Sequence, residues 1–212
     1  MNHGNTDQNI YVSVSFAKTD EDLEGILQLN AMNLRGNLHE EEATQEGFVS
    51  AVYSLEDLRT MHQRTPAVIA KASANHNGET IVGYALAVDK QCALRWNHPL
   101  LCDLFNSIDA LDFNNICLDG FQWREGRFAD TEYIVVGQLC VAKGFRSQGV
   151  AQRMYAYFNE TMSGKYQCCF TDVSSANPRS LQAHLKAGFR VVSQSHYGDD
   201  TWNIVMWDWN HG

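Results

Sequence analysis

What the 212-residue chain lacks narrows the field first. No apolar run approaches the roughly 18 residues that a membrane-spanning helix needs. Residues 1–9 (MNHGNTDQN) carry neither a basic patch nor an apolar stretch, so they read as a polar tail rather than a secretory signal. No Pro/Gly/Ser-rich linker follows, and residues 10–212 read as one domain, long enough to bury a full core. No Cys-x-x-Cys pair occurs among Cys92, Cys102, Cys117, Cys140, Cys168 and Cys169. Most of these lie in apolar segments, which suits buried thiols in a reducing cytoplasm better than a disulfide framework or a metal site. Positive charge is scarce, with 16 basic residues against 25 acidic and a formal net charge of −9. A nucleic acid would meet net repulsion. Such a surface is compatible with a cationic substrate such as an amine, and it is also common among soluble proteins.

What is present centres on Tyr133–Phe158, YIVVGQLCVAKGFRSQGVAQRMYAYF. Ile134, Val135, Val136, Leu139, Cys140 and Val141 form a nearly continuous apolar run, the pattern of a strand buried on both faces. Residues 142–148 (AKGFRSQ) break it. Val150, Ala151, Met154, Tyr155 and Phe158 then recur at helical spacing. The order is strand, glycine-containing loop, helix. The first N–H groups of a helix lack intrahelical partners and sit at the positive end of its dipole, so such a loop can hold a phosphate. Lys143 and Arg146 add positive charge, and Gly144 and Gly149 allow close approach. A plain strand-to-helix turn has the same outline. The P-loop pattern and the Gly-x-Gly-x-x-Gly fingerprint are both absent.

The rest of the chain supplies further elements. Ile10–Phe16 alternates as a first strand, and Thr19 with the acids Asp20–Asp22 marks the start of a helix that fades near Asn33. Residues 39–46 read as a polar segment. Ser54-x-x-Asp57 is a capping box that opens a second helix. Ala67–Ala74 and Thr80–Asp89 flank an Asn-Gly turn and read as a hairpin. A helix follows Pro99, and Phe121–Arg127 is irregular, with Trp123 as a lid or packing residue at a cleft edge. After the central stretch come a strand at Tyr166–Val173 and a helix that Asn177 caps, with Pro178 at its first position. Two closing strands, Arg190–Ser195 and Thr201–Trp209, bring Trp202, Trp207 and Trp209 to the core. Hairpins and crossovers alternate, so the expected fold is α/β (α+β) with a mixed sheet.

Arg146-Ser147-Gln148-Gly149-Val150-Ala151 resembles the Arg/Gln-x-x-Gly-x-Gly/Ala signature of the GNAT superfamily, the acyl-CoA-dependent N-acyltransferases. Asn177–Phe189 (NPRSLQAHLKAGF) resembles that family's Asn-x-x-Ala/Ser-x-x-x-Tyr-x-x-x-Gly-Phe element. The resemblance implies a mostly antiparallel seven-stranded sheet flanked by helices and splayed at its two central parallel strands. It implies acetyl-CoA as the acyl donor, with Leu139, Cys140 and Val141 pairing with the pantetheine arm. Arg146, Ser147, Gln148, Gly149, Val150 and Ala151 would cradle the pyrophosphate, and Asn177 would bond the pantetheine. It also makes the segment after the first helix a wall of the acceptor site, with Leu34, Phe48 and Val49 placed there or in the core.

One position departs from the family pattern: His184 stands where tyrosine is usual. That tyrosine commonly protonates the leaving thiolate, a role histidine can fill and one that a thiol of pKa about 8.5 hardly requires. His184 can equally be a buried helix residue, since it shares a face with Leu181 and Leu185. A protonated amine must lose a proton before attack, and Glu132 and Asp172 are the candidate bases. Backbone N–H groups at the splay would polarise the thioester carbonyl. The implied activity is N-acetyl transfer to a primary amine, on a small molecule or a peptide, by direct attack. A longer acyl donor and a non-catalytic acyl-CoA-binding or regulatory module on the same fold are the alternatives. No metal is expected, hydropathy and net charge argue against membrane and nucleic-acid partners, and the aromatic C-terminal strands leave a homodimer open.

Overall fold

A computed structural model describes residues 10–74, 78–96, 99–111, 127–197 and 199–209. Seven strands form one sheet: β1 (Ile10–Phe16), β2 (Val68–Ala74), β3 (Glu79–Val88), β4 (Tyr133–Val141), β5 (Cys168–Ser174), β6 (Arg190–Tyr197) and β7 (Asp200–Asp208). Their order is β1-β2-β3-β4-β5-β7-β6, and every neighbouring pair is antiparallel except β4 with β5. The helices are α1 (Asp20–Asn33), α2 (Glu40–Glu46), α3 (Leu55–His62), α4 (Lys90–Trp96), α5 (Pro99–Asp109), α6 (Val150–Met162) and α7 (Pro178–Ala187). Among the described residues, no helix is long and apolar enough to cross a membrane, and no cluster of three or more His, Cys, Asp or Glu could hold a metal.

The helix starts follow local chemistry. Thr19 and Ser54 both close reciprocal capping boxes, with Asp22 and Asp57 as the returning carboxylates. Asn177 caps α7 through its side-chain oxygen, which accepts from the Ser180 N–H at 3.2 Å, and Pro178 occupies the first turn, where a missing N–H costs nothing. Two short helices depart from the sequence expectation. The segment read as polar folds as α2, which buries only Ala43 and so has no apolar stripe to betray it. Three glutamates in its first turn suit the positive end of the helix dipole. Helix α4 begins right after β3, where the sequence reading placed no element. Trp123, Cys117 and the Asn75–Asn77 turn lie outside the described residues.

Two apolar layers sandwich the sheet. One face carries Leu23, Ile26 and Leu29 of α1 against Ile69, Tyr84, Leu86 and Val135. The other carries Met154, Tyr155 and Phe158 of α6 against Val68, Ala70, Ile134 and Val136. Alternation along β4 changes phase partway. Tyr133 and Val135 face α1, and after the change it is Cys140 that does so. The register explains it: Leu86 pairs with Gln138 but Ala87 pairs with Val136, so Gly137 is an extra residue, a bulge. A bulge bends its strand and swaps the faces of everything beyond it.

The bend opens the sheet. β4 and β5 pair over only three positions, Tyr133 with Cys168, Ile134 with Cys169 and Val135 with Phe170. Beyond these the strands part, bridged once where the Thr171 hydroxyl donates to the Val136 carbonyl at 2.7 Å. The splay that the sequence reading expected is therefore present.

Gly188 closes α7 at φ 111°, and a Cβ there would lie 2.7 Å from Trp207 Nε1. Left-handed strain adds to the steric conflict, so Gly188→Ala is expected to lower stability by about 2–4 kcal/mol. Urea unfolding measures it, and an unchanged midpoint would show that the α7–β7 contact yields freely.

Candidate active site

The gap between β4 and β5 opens into two adjoining cavities. The first, about 550 Å³, runs between α6 and α7 and is lined by Val141, Ser147, Gly149, Val150, Ala151 and Arg179 among others. The second, about 260 Å³, lies deeper, toward Tyr53, Asp172, His184, Tyr197 and Trp202. Phe48, Val49, Leu139, Asn177 and Ser180 line both. The wall they share is pinned from behind. Asn30 Nδ2 and Gln138 Nε2 both donate to the Ala51 carbonyl, at 3.0 and 3.1 Å, and both side chains bond the buried Tyr84 hydroxyl.

The end of β4 offers backbone groups to the first cavity. The Ala142 N–H donates to the Val82 carbonyl at 2.8 Å, and antiparallel alternation then commits Cys140 to Tyr84 on β3. Leu139 and Val141 therefore turn their N–H and C=O groups away from β3, toward the gap. Cys140 also lines the first cavity but turns its backbone groups to β3 instead. Its thiol is buried and pushed up to about 12 by desolvation, so it is no nucleophile at neutral pH.

The loop into α6 also differs in one respect from its sequence reading. Gly149 sits at φ 76° as the N-cap, and no side chain caps the helix. Val150, Ala151 and Gln152 thus present N–H groups without intrahelical acceptors. A Cβ on Gly149 would find no atom within 4 Å, so the space in front of this helix end is open. Ser147 takes φ 61°, which curls the loop, and the Gln148 amide donates back to the Gly144 carbonyl at 2.8 Å. The charges expected to face a phosphate are engaged elsewhere. Arg146 donates to the Val141 carbonyl at 2.9 Å, to the Glu46 carbonyl at 2.8 Å, to the Glu46 carboxylate at 3.1 Å and to Asn33 Oδ1. Its guanidinium is a clamp that ties the end of α2 to the loop. Lys143 pairs with Glu42 at 2.8 Å.

Arg179, unnoticed in the sequence, reaches Ser147 Oγ at 3.4 Å and the Gln45 carbonyl at 3.1 Å from the first turn of α7. Its place two residues after the helix-capping Asn177 is the one sequence signal that could have pointed to it. Asn177 is likewise committed within the protein, since its Nδ2 donates to the Phe48 carbonyl at 2.8 Å while its Oδ1 caps α7.

The catalytic candidates separate clearly. Glu132 is exposed and precedes β4, at the end of the strand opposite the Gly149 loop, so no short path joins it to the gap. Five residues of extended strand, roughly 17 Å, lie between it and Gly137. That removes Glu132 as the base. Asp172 lines the inner cavity, and burial pushes its carboxyl up to about 6. His184 also lines this cavity, 3% exposed, with its ring against Tyr155 and Phe189. Its Nδ1 lies 2.7 Å from the Ser180 carbonyl, which can only accept, so Nδ1 carries the proton and the neutral ring keeps Nε2 as an acceptor. Burial lowers the His184 pKa to about 4, leaving roughly one ring in a thousand cationic at pH 7. His184 is poorly suited to protonate a leaving thiolate. Tyr53 and Tyr197, not singled out in the sequence as site residues, face Asp172, whose charge helps raise their pKa values after desolvation has raised them most. The Tyr53 hydroxyl donates to the carbonyl of the bulge residue Gly137 at 3.3 Å.

Comparison with known proteins places this arrangement. The acetyltransferase (GNAT) family model matches residues 36–189, and the chain belongs to that family. No curated protein sequence matches it. Arabidopsis thaliana NAA60, solved in complex with acetyl-CoA, is similar in fold at TM-score 0.60 and 14% identity, covering 93% of this chain and 99% of that one. The NatC complex bound to Gag peptide and CoA gives TM-score 0.59 at 11% identity, covering 93% and 98%. The ribosomal-protein-S18-alanine N-acetyltransferase of Escherichia coli gives 0.56 at 8%, covering 95% and 96%. At such identities these structures speak to the fold. The family's acyl donor is acetyl-CoA. An uncapped helix end facing open space and a strand edge with outward backbone groups fit a donor with a pyrophosphate and an amide-bearing arm.

Arg146→Met removes the clamp and leaves Glu46 facing the cleft without its main partner. It is expected to lower stability by about 1.5–3 kcal/mol in urea unfolding. Wild-type stability in that variant would mean that the guanidinium bonds add nothing net.

Proposed function

We propose that this chain is an N-acetyltransferase that carries the acetyl group of acetyl-CoA to a primary amine by direct attack. The observation that carries this reading is the continuity of the two cavities at the point where β4 leaves β5. A donor along α6 and an acceptor beside Asp172 would meet at their shared wall. The bound donor supplies a thioester carbonyl open to a nucleophile.

The protein's own groups divide the remaining work. Backbone N–H groups of α6, with Arg179 nearby, hold phosphate oxygens. The Leu139 groups and the Val141 N–H align the arm, and the Leu139 N–H would polarise a carbonyl in the gap. Asp172 takes the proton of the acceptor ammonium, directly or through a water. An alkylammonium has a pKa near 10 in water, but apolar walls disfavour its charge and bring it toward the carboxylate's range. The thiolate departs without a strong acid, as its low basicity allows. A non-catalytic acyl-CoA-binding module would have no use for a desolvated carboxyl beside the gap.

Calorimetric titration with acetyl-CoA tests the donor site. Gly149→Val places a branched side chain in the open cradle and is expected to weaken binding at least about tenfold, or 1.4 kcal/mol. Equal affinity would remove the loop from the site. For catalysis, amine-dependent release of CoA is expected to fall below pH about 6, as the Asp172 carboxyl takes up a proton. Asp172→Asn should lower kcat/KM by about a hundredfold or more. Stability should move the other way. The folded carboxyl holds its proton more tightly than the unfolded one, so stability is lost as pH rises toward and through about 6. The neutral amide escapes that loss, and Asp172→Asn should unfold later than wild type at pH 7, by up to about 3 kcal/mol. Full turnover by Asp172→Asn would end its role as the base.

A further inference from the structure

The inner cavity narrows the class of amine, given the acetyltransferase reading above. Most polar side chains in its wall are already engaged within the protein. The Thr171 hydroxyl donates to the Val136 carbonyl, the Gln138 amide is held by Asn30, Tyr84 and Ala51, and the Asn177 amide bonds Phe48 and Ser180. Tyr53 donates to Gly137, and Ser174 Oγ accepts from the Ala176 N–H at 3.2 Å. Among the described residues, the Tyr197 hydroxyl is buried with no partner in hydrogen-bond geometry, and two further buried groups keep free capacity. One is the Asp172 carboxylate, whose only hydrogen bond of note is to its own N–H. The other is the second nitrogen of His184, since the first is held by Ser180. Both are acceptors. Phe48, Val49, Leu101, Leu104 and Trp202 are among the apolar residues of the wall, and no described lining residue is a lysine or arginine.

We infer that the acceptor is a small primary monoamine on an uncharged apolar body, of the arylalkyl or branched-alkyl class, with its nitrogen against Asp172 and His184 and its body against Phe48, Leu104 and Trp202. The argument is one of matching groups. An ammonium only donates hydrogen bonds, and Asp172, His184 and the phenol oxygen of Tyr197 can all accept them. A free amino acid would bring a carboxylate beside Asp172 with no cation to balance it. A peptide would bring several amide groups into walls whose polar atoms are mostly committed, leaving most of those amides unpaired at a cost. A polyamine would place a second cation among apolar side chains or stretch it to Asp200, the exposed carboxylate at the rim. A cavity of about 260 Å³ lies below the range usual for drug-sized ligands, which sets the scale of the body.

The test is a rate comparison with acetyl-CoA as donor, reading CoA release from full-length protein. 2-Phenylethylamine and 3-methylbutylamine are set against spermidine, phenylalanine and a tetrapeptide with a free N-terminus. The monoamines are expected to exceed every other acceptor at least tenfold in kcat/KM. Trp202→Ala should raise KM for 2-phenylethylamine about tenfold while acetyl-CoA affinity stays at the wild-type value. If that variant fails to fold, thermal unfolding of wild type and Asp172→Asn with 2-phenylethylamine replaces it. The amine should raise the wild-type midpoint and leave that of Asp172→Asn unmoved. Equal or faster turnover of spermidine, phenylalanine or the peptide overturns the inference, and so does turnover of none of the amines. Calorimetry separates the two levels. Acetyl-CoA binding with a polar acceptor preferred removes only this inference, whereas no acetyl-CoA binding removes the acetyltransferase reading beneath it.

Discussion

The parting of β4 from β5 after three paired residues is the constraint on which the rest of this molecule depends. A sheet whose central strands stayed paired would have no interior opening at this point and no free strand edge. Gly137 makes the departure workable. As the bulge residue it bends β4, turns Gln138 toward Asn30 and Tyr84, and leaves its own carbonyl to the Tyr53 hydroxyl. Free carbonyls and N–H groups at a sheet interior are costly unless something takes them up. Here protein groups take some of them, the Val141 carbonyl included through Arg146, and the Leu139 groups and the Val141 N–H face the cleft.

Electrostatics in the cleft follow from what is already paired. Arg146 and Lys143 look like phosphate ligands when only the sequence is visible, yet both are held by glutamates of α2. Their work is to fix α2 and the Gly47–Val49 segment over the loop, which forms the wall shared by the two cavities. The attraction for phosphate is left to backbone N–H groups and to Arg179, which Glu46 holds more loosely, at 3.8 Å. On the other side of the wall the balance is reversed. Among the described residues no cation pairs with the desolvated Asp172, so its charge is expensive, and a cationic ligand that donates hydrogen bonds relieves that cost.

Much of the fold was legible because its signals are local. Both capping boxes, the Asn177–Pro178 helix start, the strand at Ile10–Phe16 and the glycine-led entry to α6 rest on neighbouring residues and their hydrogen bonds. Helix α2 was not legible, since it buries one alanine and shows no periodicity. In the site, the α6 loop, Asp172 and the Leu139–Val141 edge could be named from motif and strand position. Tyr53, Tyr197 and Arg179 could not, because nothing in their own segments distinguishes them. Glu132 and Asp172 looked equivalent as acids at strand ends, and only strand direction separates them: one precedes β4 far from the gap, and the other follows the three paired residues into it.

The sequence by itself determined the elements, their order and the membership of the family, because apolar period, caps and two short motifs are properties of contiguous residues. Tertiary structure decided which groups remain chemically available. Cys140 was assigned to β3 by register, Arg146 to a clamp by α2, and His184 to an acceptor tautomer by the Ser180 carbonyl and its burial. The physical reason is that a side chain's charge, protonation and free hydrogen-bonding capacity depend on partners brought from distant parts of the chain. Those partners are fixed only when the strands pair and part.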